Sequence, residues 1–160
     1  MMRYLKTYSE NQLIKDHLSD DGKTLDLARL NLTELPELPE GLEKLFCCYN
    51  QLTELPELPK GLKYLFCRYN QLTELPELPK GLEYLYCYNN QLTKLPELPK
   101  GLKYLYCGNN KLTKLPEIPK GLRELYCHDN QLPYDNLEKY WEWFWKENPD
   151  LHNAKKMGLY

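Results

Sequence analysis

The sequence has no long apolar run and almost no excess of charge of one sign. No window approaches the roughly 18 uninterrupted apolar residues typical of a membrane-spanning helix, and the opening residues contain no apolar segment of the secretory-signal kind. The net charge is -2 and the pI is about 6.0, which gives no general attraction to nucleic acid or to an anionic membrane. We therefore expect a cytoplasmic protein with neither nucleic acid nor membrane as its partner.

The sequence also lacks the short motifs of common enzyme chemistry. It contains no phosphate-cradling glycine loop, no H-E-x-x-H and no G-x-S-x-G. Cys127, His128 and Asp129 are adjacent and resemble a nucleophile with its base. Alternation along a strand, however, sends Cys127 and His128 to opposite faces. We predict a protein that is not an enzyme and binds no cofactor.

The dominant feature of the sequence is a unit of 20 residues. It begins at Leu42, recurs at Leu62, Leu82 and Leu102, and is truncated after Leu122, with a degenerate copy before it. Self-similarity at this period indicates a solenoid, and the core L-x-x-L-x-C-x-x-N-x-L is that of a leucine-rich repeat. The predicted fold class is therefore an α/β repeat. We expect about six repeats over residues 22–133, an N-terminal helical cap over 1–21, and a C-terminal helical cap and tail over 134–160.

Each unit divides into a strand and a return segment. Leu45 and Cys47 alternate with outward positions, so the stacked strands should form one parallel sheet on the concave face. The Asn that follows each strand should bond backbone groups of its own and neighbouring turns. Two prolines three residues apart predict a polyproline-like convex side, and a glycine such as Gly61 then supplies the turn back. The P-x-x-P spacing also resembles an SH3 ligand, but prolines in register with core leucines favour the architectural role.

The cysteines follow the repeat. Five of the six occupy the same inward position, namely Cys47, Cys67, Cys87, Cys107 and Cys127. We interpret them as free thiols that act as small core hydrophobes. Disulfides between adjacent parallel strands would need side chains turned toward each other. A metal ladder would need clustered Cys and His ligands, which this spacing does not provide, so we predict no metal site.

The C-terminal cap is predicted from one amphipathic segment. Asp135 with Glu138 resembles a capping box at the start of a helix. The face that should close the core carries Leu137, Tyr140, Trp141 and Phe144. Trp143 falls on the opposite face, where it packs under the final segment from Leu151 to Tyr160, meets a partner or stays exposed.

The outward strand positions are unusually aromatic. Nine of the 15 outward strand positions in the five units that begin at Leu42 are Phe or Tyr, against 12% aromatic residues in the whole chain. A large exposed aromatic surface marks an interaction site, and Tyr and Arg often carry binding hot spots. The predicted binding residues are Tyr64, Phe66, Arg68, Tyr84, Tyr86, Tyr88, Tyr104, Tyr106, Tyr126 and His128. Stacked aromatics also stabilise a sheet without any ligand. We favour binding because the third outward position varies between units.

The partner that this surface favours is a protein or peptide. A tyrosine platform for single-stranded nucleic acid would need a basic groove beside it, whereas the flanking positions Glu43, Lys63 and Glu83 alternate in sign. The alternative is a structural or self-associating protein whose aromatic surface is buried in a homodimer.

The repeat L-x-x-L-x-C-x-x-N-x-L-x-x-L-P-x-L-P-x-G resembles the short, bacterial-type leucine-rich repeat of type III secretion effectors. Similar cysteine-bearing arrays occur in giant viruses and amoeba-associated microbes. The resemblance covers roughly Leu25 to Leu132. It implies a helical cap before the array and an effector-like, protein-binding role inside a host cell, reached through a specialised secretion system. Some members add a C-terminal ubiquitin-ligase domain, but about 28 residues follow the array here, too few for such a domain.

Overall fold

The computed structural model describes residues 12–149, which form a solenoid built on one parallel sheet. Six strands of three residues follow one another across the sheet in chain order. They are β1 (Thr24–Asp26), β2 (Lys44–Phe46), β3 (Tyr64–Phe66), β4 (Tyr84–Tyr86), β5 (Tyr104–Tyr106) and β6 (Glu124–Tyr126). Each residue pairs with the residue 20 positions later, for example Leu65 with Leu85. The predicted solenoid with a parallel sheet is confirmed, while the outer parts of both predicted caps, residues 1–11 and 150–160, lie outside the described residues.

The hydrophobic core lies between the sheet and the return segments. Leu45 and Cys47 are 0% exposed, as predicted from strand alternation, and so are their equivalents in the next three units. Leu52 and Leu58 approach the same core from the return side. Each turn therefore buries its leucines only against the neighbouring turns, which is why the units are stable only when stacked.

The return segments contain neither helix nor strand in the described part of the chain. Their prolines fix φ and remove backbone donors, which disfavours both regular structures. Hydrogen bonds between successive turns hold them in place, such as the one from Gln71 N–H to the Leu52 carbonyl at 2.9 Å.

In each unit the residue with a left-handed backbone lies just after the strand, and the glycine of the return turn does not have this conformation. The φ angle is 56° at Tyr49 and 54° at Tyr69. Gly61, by contrast, lies outside the left-handed region, and a Cβ there would make only ordinary contacts, the nearest 3.4 Å from the Leu42 carbonyl oxygen. The glycine lies in the turn where the sequence predicts it, and its backbone there is one that other residues also adopt.

The asparagines that follow the strands join neighbouring turns. Asn90 accepts a hydrogen bond from Leu72 N–H at 3.0 Å. Its amide group donates to the carbonyls of Cys67 at 3.1 Å and Cys87 at 3.0 Å. The same pattern recurs at Asn70, Asn110 and Asn130. The predicted role of these residues is therefore confirmed, since they satisfy backbone groups that the turn leaves without partners.

Both outer edges of the sheet are paired by the chain itself. Residues 12–17 are helical (α1), and Leu18, which follows them, forms an antiparallel bridge with Leu25 of β1. At the other edge, Cys127 N–H donates to the Asp135 carbonyl at 2.9 Å, and Tyr126 bridges Asn136. An unpaired strand edge invites association with other chains, so these contacts protect the ends of the solenoid.

Helix α2 (Leu137–Glu147) closes the C-terminal end of the core. Its N-cap is Asn136, whose side chain accepts from Lys139 N–H at 3.0 Å, so the predicted capping box at Asp135 is wrong by one residue. Tyr140 is 5% exposed. The Trp143 ring lies 5.1 Å from the ring of the core residue Tyr134, so the prediction that this tryptophan falls on the face of the helix opposite the core is wrong.

Candidate interaction surface

Two stacks of aromatic rings run across the outward side of the sheet. Five rings form the longer stack, with centroid separations of 4.7, 4.8, 4.3 and 4.7 Å between successive members. Its members are Phe46, Phe66, Tyr86, Tyr106 and Tyr126. The shorter stack, with separations of 4.5 and 4.6 Å, contains Tyr64, Tyr84 and Tyr104. The spacing follows from the register, because parallel strands about 4.8 Å apart bring equivalent side chains to stacking distance.

We call these two stacks, with the residues at positions 48, 68, 88, 108 and 128, the aromatic face. The rings are partly exposed rather than buried, and Tyr126 at the end of the longer stack is 47% exposed. All ten predicted binding residues lie on this face. Seven are strand residues, and Arg68, Tyr88 and His128 occupy the next outward position after their strands.

Arg68 lies among tyrosine rings in the third outward column. Its guanidinium carbon is 5.2 Å from the ring centroid of Tyr49, 5.9 Å from that of Tyr69 and 5.4 Å from that of Tyr88. It also donates a hydrogen bond to the Tyr88 hydroxyl. These are cation–π distances, so the aromatic face already binds one guanidinium from its own chain.

Tyr49 and Tyr69 belong to this surface although the strand pattern did not predict them. They are 36% and 41% exposed and stack at 4.5 Å. Alternation along the strand ends before these positions, and the left-handed turn at each of them returns the side chain to the outward side. The available signal was the recurrence of Tyr at one repeat position in two successive units.

A cavity opens at the other end of the third column. Gly108 has no side chain there, and a Cβ at this position would lie 3.0 Å from Nε2 of His128. The cavity has a volume of about 270 Å³. It is lined by Tyr86, Tyr88, Tyr106, Gly108, Tyr126 and His128.

The charges on the surface differ between its two ends. The cations near β1 to β3 are Arg29, Lys44 and Arg68, and all three contact tyrosine rings. Carboxylates dominate at β6, where Glu124 accepts a hydrogen bond from the Tyr106 hydroxyl and Asp129 lies 2.8 Å from His128 Nδ1. Asp26 adds one carboxylate at the β1 end, where it accepts from Ala28 N–H at 3.1 Å. The face is therefore more basic at its first repeats and more acidic at its last.

The flank of the sheet is covered by ion pairs between turns. Glu43 pairs with Lys23 at 2.9 Å and with Lys63 at 3.0 Å, and hydrogen bonds from these two lysines lower the pKa of Glu43. Lys103 pairs with Glu83 at 2.6 Å. Cations and anions thus alternate along the flank from Lys23 to Lys103, and Arg123 adds one more cation at β6. Among residues 12–149 the flank is therefore mixed in sign and does not form a continuous basic groove.

The cysteine thiols are not placed for chemistry at this surface. All six are free and buried, and burial raises the pKa of Cys87 well above its ordinary value and that of Cys127 to about 12. Cys127 is 1% exposed, whereas the His128 side chain is 58% exposed on the other side of the strand. The predicted separation of Cys127 from His128 is confirmed.

Among residues 12–149, no group of three or more His, Cys, Asp or Glu side chains is arranged to hold a metal ion. None of the helices described there has the length and apolar character needed to cross a bilayer.

The repeats match a known family model and several solved structures. Residues 60–100 and 80–120 each match the model for leucine-rich repeats in two copies. The leucine-rich-repeat domain of a Shigella effector is 40% identical, with a TM-score of 0.73, over 79% of this chain and 58% of that one. YopM from Yersinia enterocolitica is 35% identical, with a TM-score of 0.67, over 78% of this chain and 33% of that one. YopM from Yersinia pestis, described as a leucine-rich effector protein, is 34% identical, with a TM-score of 0.57, over 79% and 48%.

These similarities concern the repeat array. The chain spans between 33% and 58% of the length of the three solved chains. No curated protein sequence is significantly similar to it.

Proposed function

We propose that this chain, whose repeats are leucine-rich repeats of the short bacterial type, is a non-catalytic interaction module that binds a protein or peptide through its aromatic face. The observation that carries the proposal is the partial exposure of two ring stacks on one side of the sheet, with Tyr126 at 47%. A contiguous aromatic surface of this kind is unusual on a monomer and is typical of interaction sites. Leucine-rich repeats are typically non-catalytic, which agrees with this role.

The binding residues that we propose are the ten outward residues predicted from the sequence, together with Tyr49 and Tyr69. Their stacking stabilises the sheet, at about 0.2–1 kcal/mol for each cross-strand pair. Stacking also holds the rings in fixed positions before a partner arrives, so less side-chain entropy is lost on binding. Stabilisation of the sheet and recognition are therefore compatible on this surface.

The similarity to Shigella and Yersinia effector domains supports a host-directed role. We propose that the chain acts in the cytoplasm, either of the cell that makes it or of a host cell after delivery by a specialised secretion system. Neither nucleic acid nor a membrane is the proposed partner, because the net charge is -2 and the flanking charges alternate.

Self-association is the second candidate, and the charge distribution on the face favours it. In an antiparallel pair of chains, the basic end of one face, with Arg29 and Arg68, would oppose the acidic end of the other, with Glu124 and Asp129. A two-fold interface needs this kind of self-complementarity.

Selection of peptides from a random displayed library on the immobilised wild-type chain tests the proposal. We expect the selected peptides to bind wild type and to lose at least about tenfold in affinity to Tyr69→Ala/Tyr126→Ala, because interface tyrosines often cost about 1–2 kcal/mol or more when truncated. Lys60→Ala/Lys80→Ala, two exposed changes on the convex side, serves as the matched control and should bind as wild type does. Equal affinity for wild type and the tyrosine variant would refute the proposal.

A further inference from the structure

The cavity at Gly108 is the part of the aromatic face with room for a side chain from outside. Its volume of about 270 Å³ is below the range of about 300–1,000 Å³ typical of pockets for drug-sized ligands. It is bounded by four tyrosine rings and by the ring of His128, which leans over the glycine. A space of this size and composition suits one long side chain better than a whole small molecule.

The chain itself shows which side chain suits such surroundings. Position 108 is the equivalent of position 68, two repeats earlier, and at position 68 an arginine lies among three tyrosine rings at 5.2–5.9 Å. Tyr88 contributes to both places, because it contacts Arg68 on one side and lines the cavity on the other. At position 108 the rings are present and the guanidinium is missing.

The charges around the cavity favour a cation. Glu124 is hydrogen bonded to the hydroxyl of Tyr106, and Asp129 is paired with His128, so each of two carboxylates lies directly behind a residue that lines the cavity. The faces of aromatic rings carry partial negative charge, which attracts a guanidinium or an ammonium group. The nearest cation at the basic end of the face, Arg68, does not line the cavity and donates its hydrogen bond to the hydroxyl of Tyr88.

We propose that the cavity at Gly108 receives an arginine side chain of the bound protein or peptide, in the manner in which the chain's own Arg68 is held two repeats earlier. This inference rests on the proposed function, since it names one anchor of the partner that the aromatic face binds. Arginine suits the cavity better than lysine because its planar guanidinium stacks on aromatic rings as well as pairing with carboxylates.

The first test uses two small, nearly isosteric probes, one with a charged guanidinium and one with a neutral urea group. N-acetyl-arginine amide and N-acetyl-citrulline amide are titrated into the isotope-labelled full chain, and the NMR signals of the Gly108 amide and the tyrosine rings are followed. We expect saturable shifts centred on Gly108, with arginine binding about threefold to tenfold more tightly than citrulline. Equal affinity of the two probes, or shifts that lie elsewhere on the chain, would overturn the inference.

The second test fills the cavity from within. Gly108→Arg places a guanidinium on the chain itself, at a backbone position outside the left-handed region. The new Cβ would come within 3.0–3.2 Å of the His128 ring, so that exposed ring must shift slightly. We expect the variant to lose binding of the arginine probe. Gly81→Arg makes the same change at an exposed glycine of the return turn with no atom within 4 Å of its Cβ, and it should keep wild-type binding. A cooperative unfolding transition measured for each variant would show that the fold is retained. Probe binding that survives in Gly108→Arg would refute the assignment.

Peptides selected on the whole face separate this inference from the proposed function. Enrichment of arginine, with loss of binding to Gly108→Arg, supports both. Selected peptides without arginine that need Tyr69 and Tyr126 but tolerate Gly108→Arg would overturn the arginine site and leave the proposed function standing. Selected peptides that bind away from the aromatic face would refute both.

Discussion

Alkaline pH should destabilise the protein strongly, because folding buries a column of five thiols. Cys47, Cys67, Cys87 and Cys107 are 0% exposed and Cys127 is 1% exposed. Burial raises the pKa of the first four well above the ordinary value and that of Cys127 to about 12. In the unfolded chain the same thiols ionise with a pKa of about 8.5. The unfolded state therefore loses protons at a pH at which the folded state retains them.

The direction and size of the effect follow from this difference in proton binding. Each thiol has a higher pKa in the folded chain than in the unfolded chain. The thiols' contribution to the free energy of unfolding is therefore fully present below pH 8.5 and is lost progressively as the pH rises above that value. At pH 9.5 each unfolded thiol has gained about 1.4 kcal/mol by ionising. Five thiols together lower the free energy of unfolding by about 7 kcal/mol, which is comparable to the whole stability of a typical domain, about 5–15 kcal/mol.

Equilibrium denaturation at pH 7.0 and pH 9.5, with a reductant present, measures this loss. Cys87→Ala supplies the internal control, because it removes one of the five ionising groups. Its cavity should lower stability at both pH values, while the difference between them should shrink by about 1.4 kcal/mol. A difference below about 2 kcal/mol in the wild type, or one that Cys87→Ala leaves unchanged, would refute the buried-thiol account.

Three further predictions concern particular side chains. Asn90→Ala should lower the free energy of unfolding by about 2–4 kcal/mol, since it leaves buried backbone groups unpaired, whereas Thr93→Ala at an exposed neighbouring position should stay within about 0.5 kcal/mol; denaturant titration compares the two, and equal effects would contradict the role of the asparagine. Asn136→Ala should cost about 1 kcal/mol through loss of the α2 N-cap, whereas Asp135→Ala should cost less, and the reverse order would restore the capping box predicted from the sequence. At pH 8 a thiol reagent should modify none of the cysteines in the native protein within minutes and all six in denaturant, and rapid labelling of the native protein would contradict their burial.

The sequence predicts the solenoid because its period is strict. One unit of 20 residues sets both the register, as in the pairing of Leu65 with Leu85, and the identity of the inward residues. Strand alternation alone places Cys127 inside and His128 outside. The fold and the columns of the aromatic face therefore need no information beyond the repeat.

Other features depend on local geometry that a repeat pattern does not contain. Tyr49 and Tyr69 join the face only because the backbone turns left-handed at those positions. The cavity at Gly108 depends on the direction taken by a neighbouring side chain, His128. The N-cap of α2 shifts by one residue because Asn136, rather than Asp135, can reach Lys139 N–H. The division into a cap over 1–21, repeats over 22–133 and a cap and tail over 134–160 stays a prediction.

The central claim is that the aromatic face recognises a different molecule rather than a second copy of the chain. Light scattering across a concentration series, on wild type and on Tyr86→Ala/Tyr106→Ala, tests it most directly. The double variant loses three ring contacts at about 0.5–1.5 kcal/mol each, so it should remain folded. We predict the mass of a monomer, 19.1 kDa, at every concentration for both proteins. A wild-type dimer that the two substitutions dissociate would contradict the claim and establish self-association through the aromatic face.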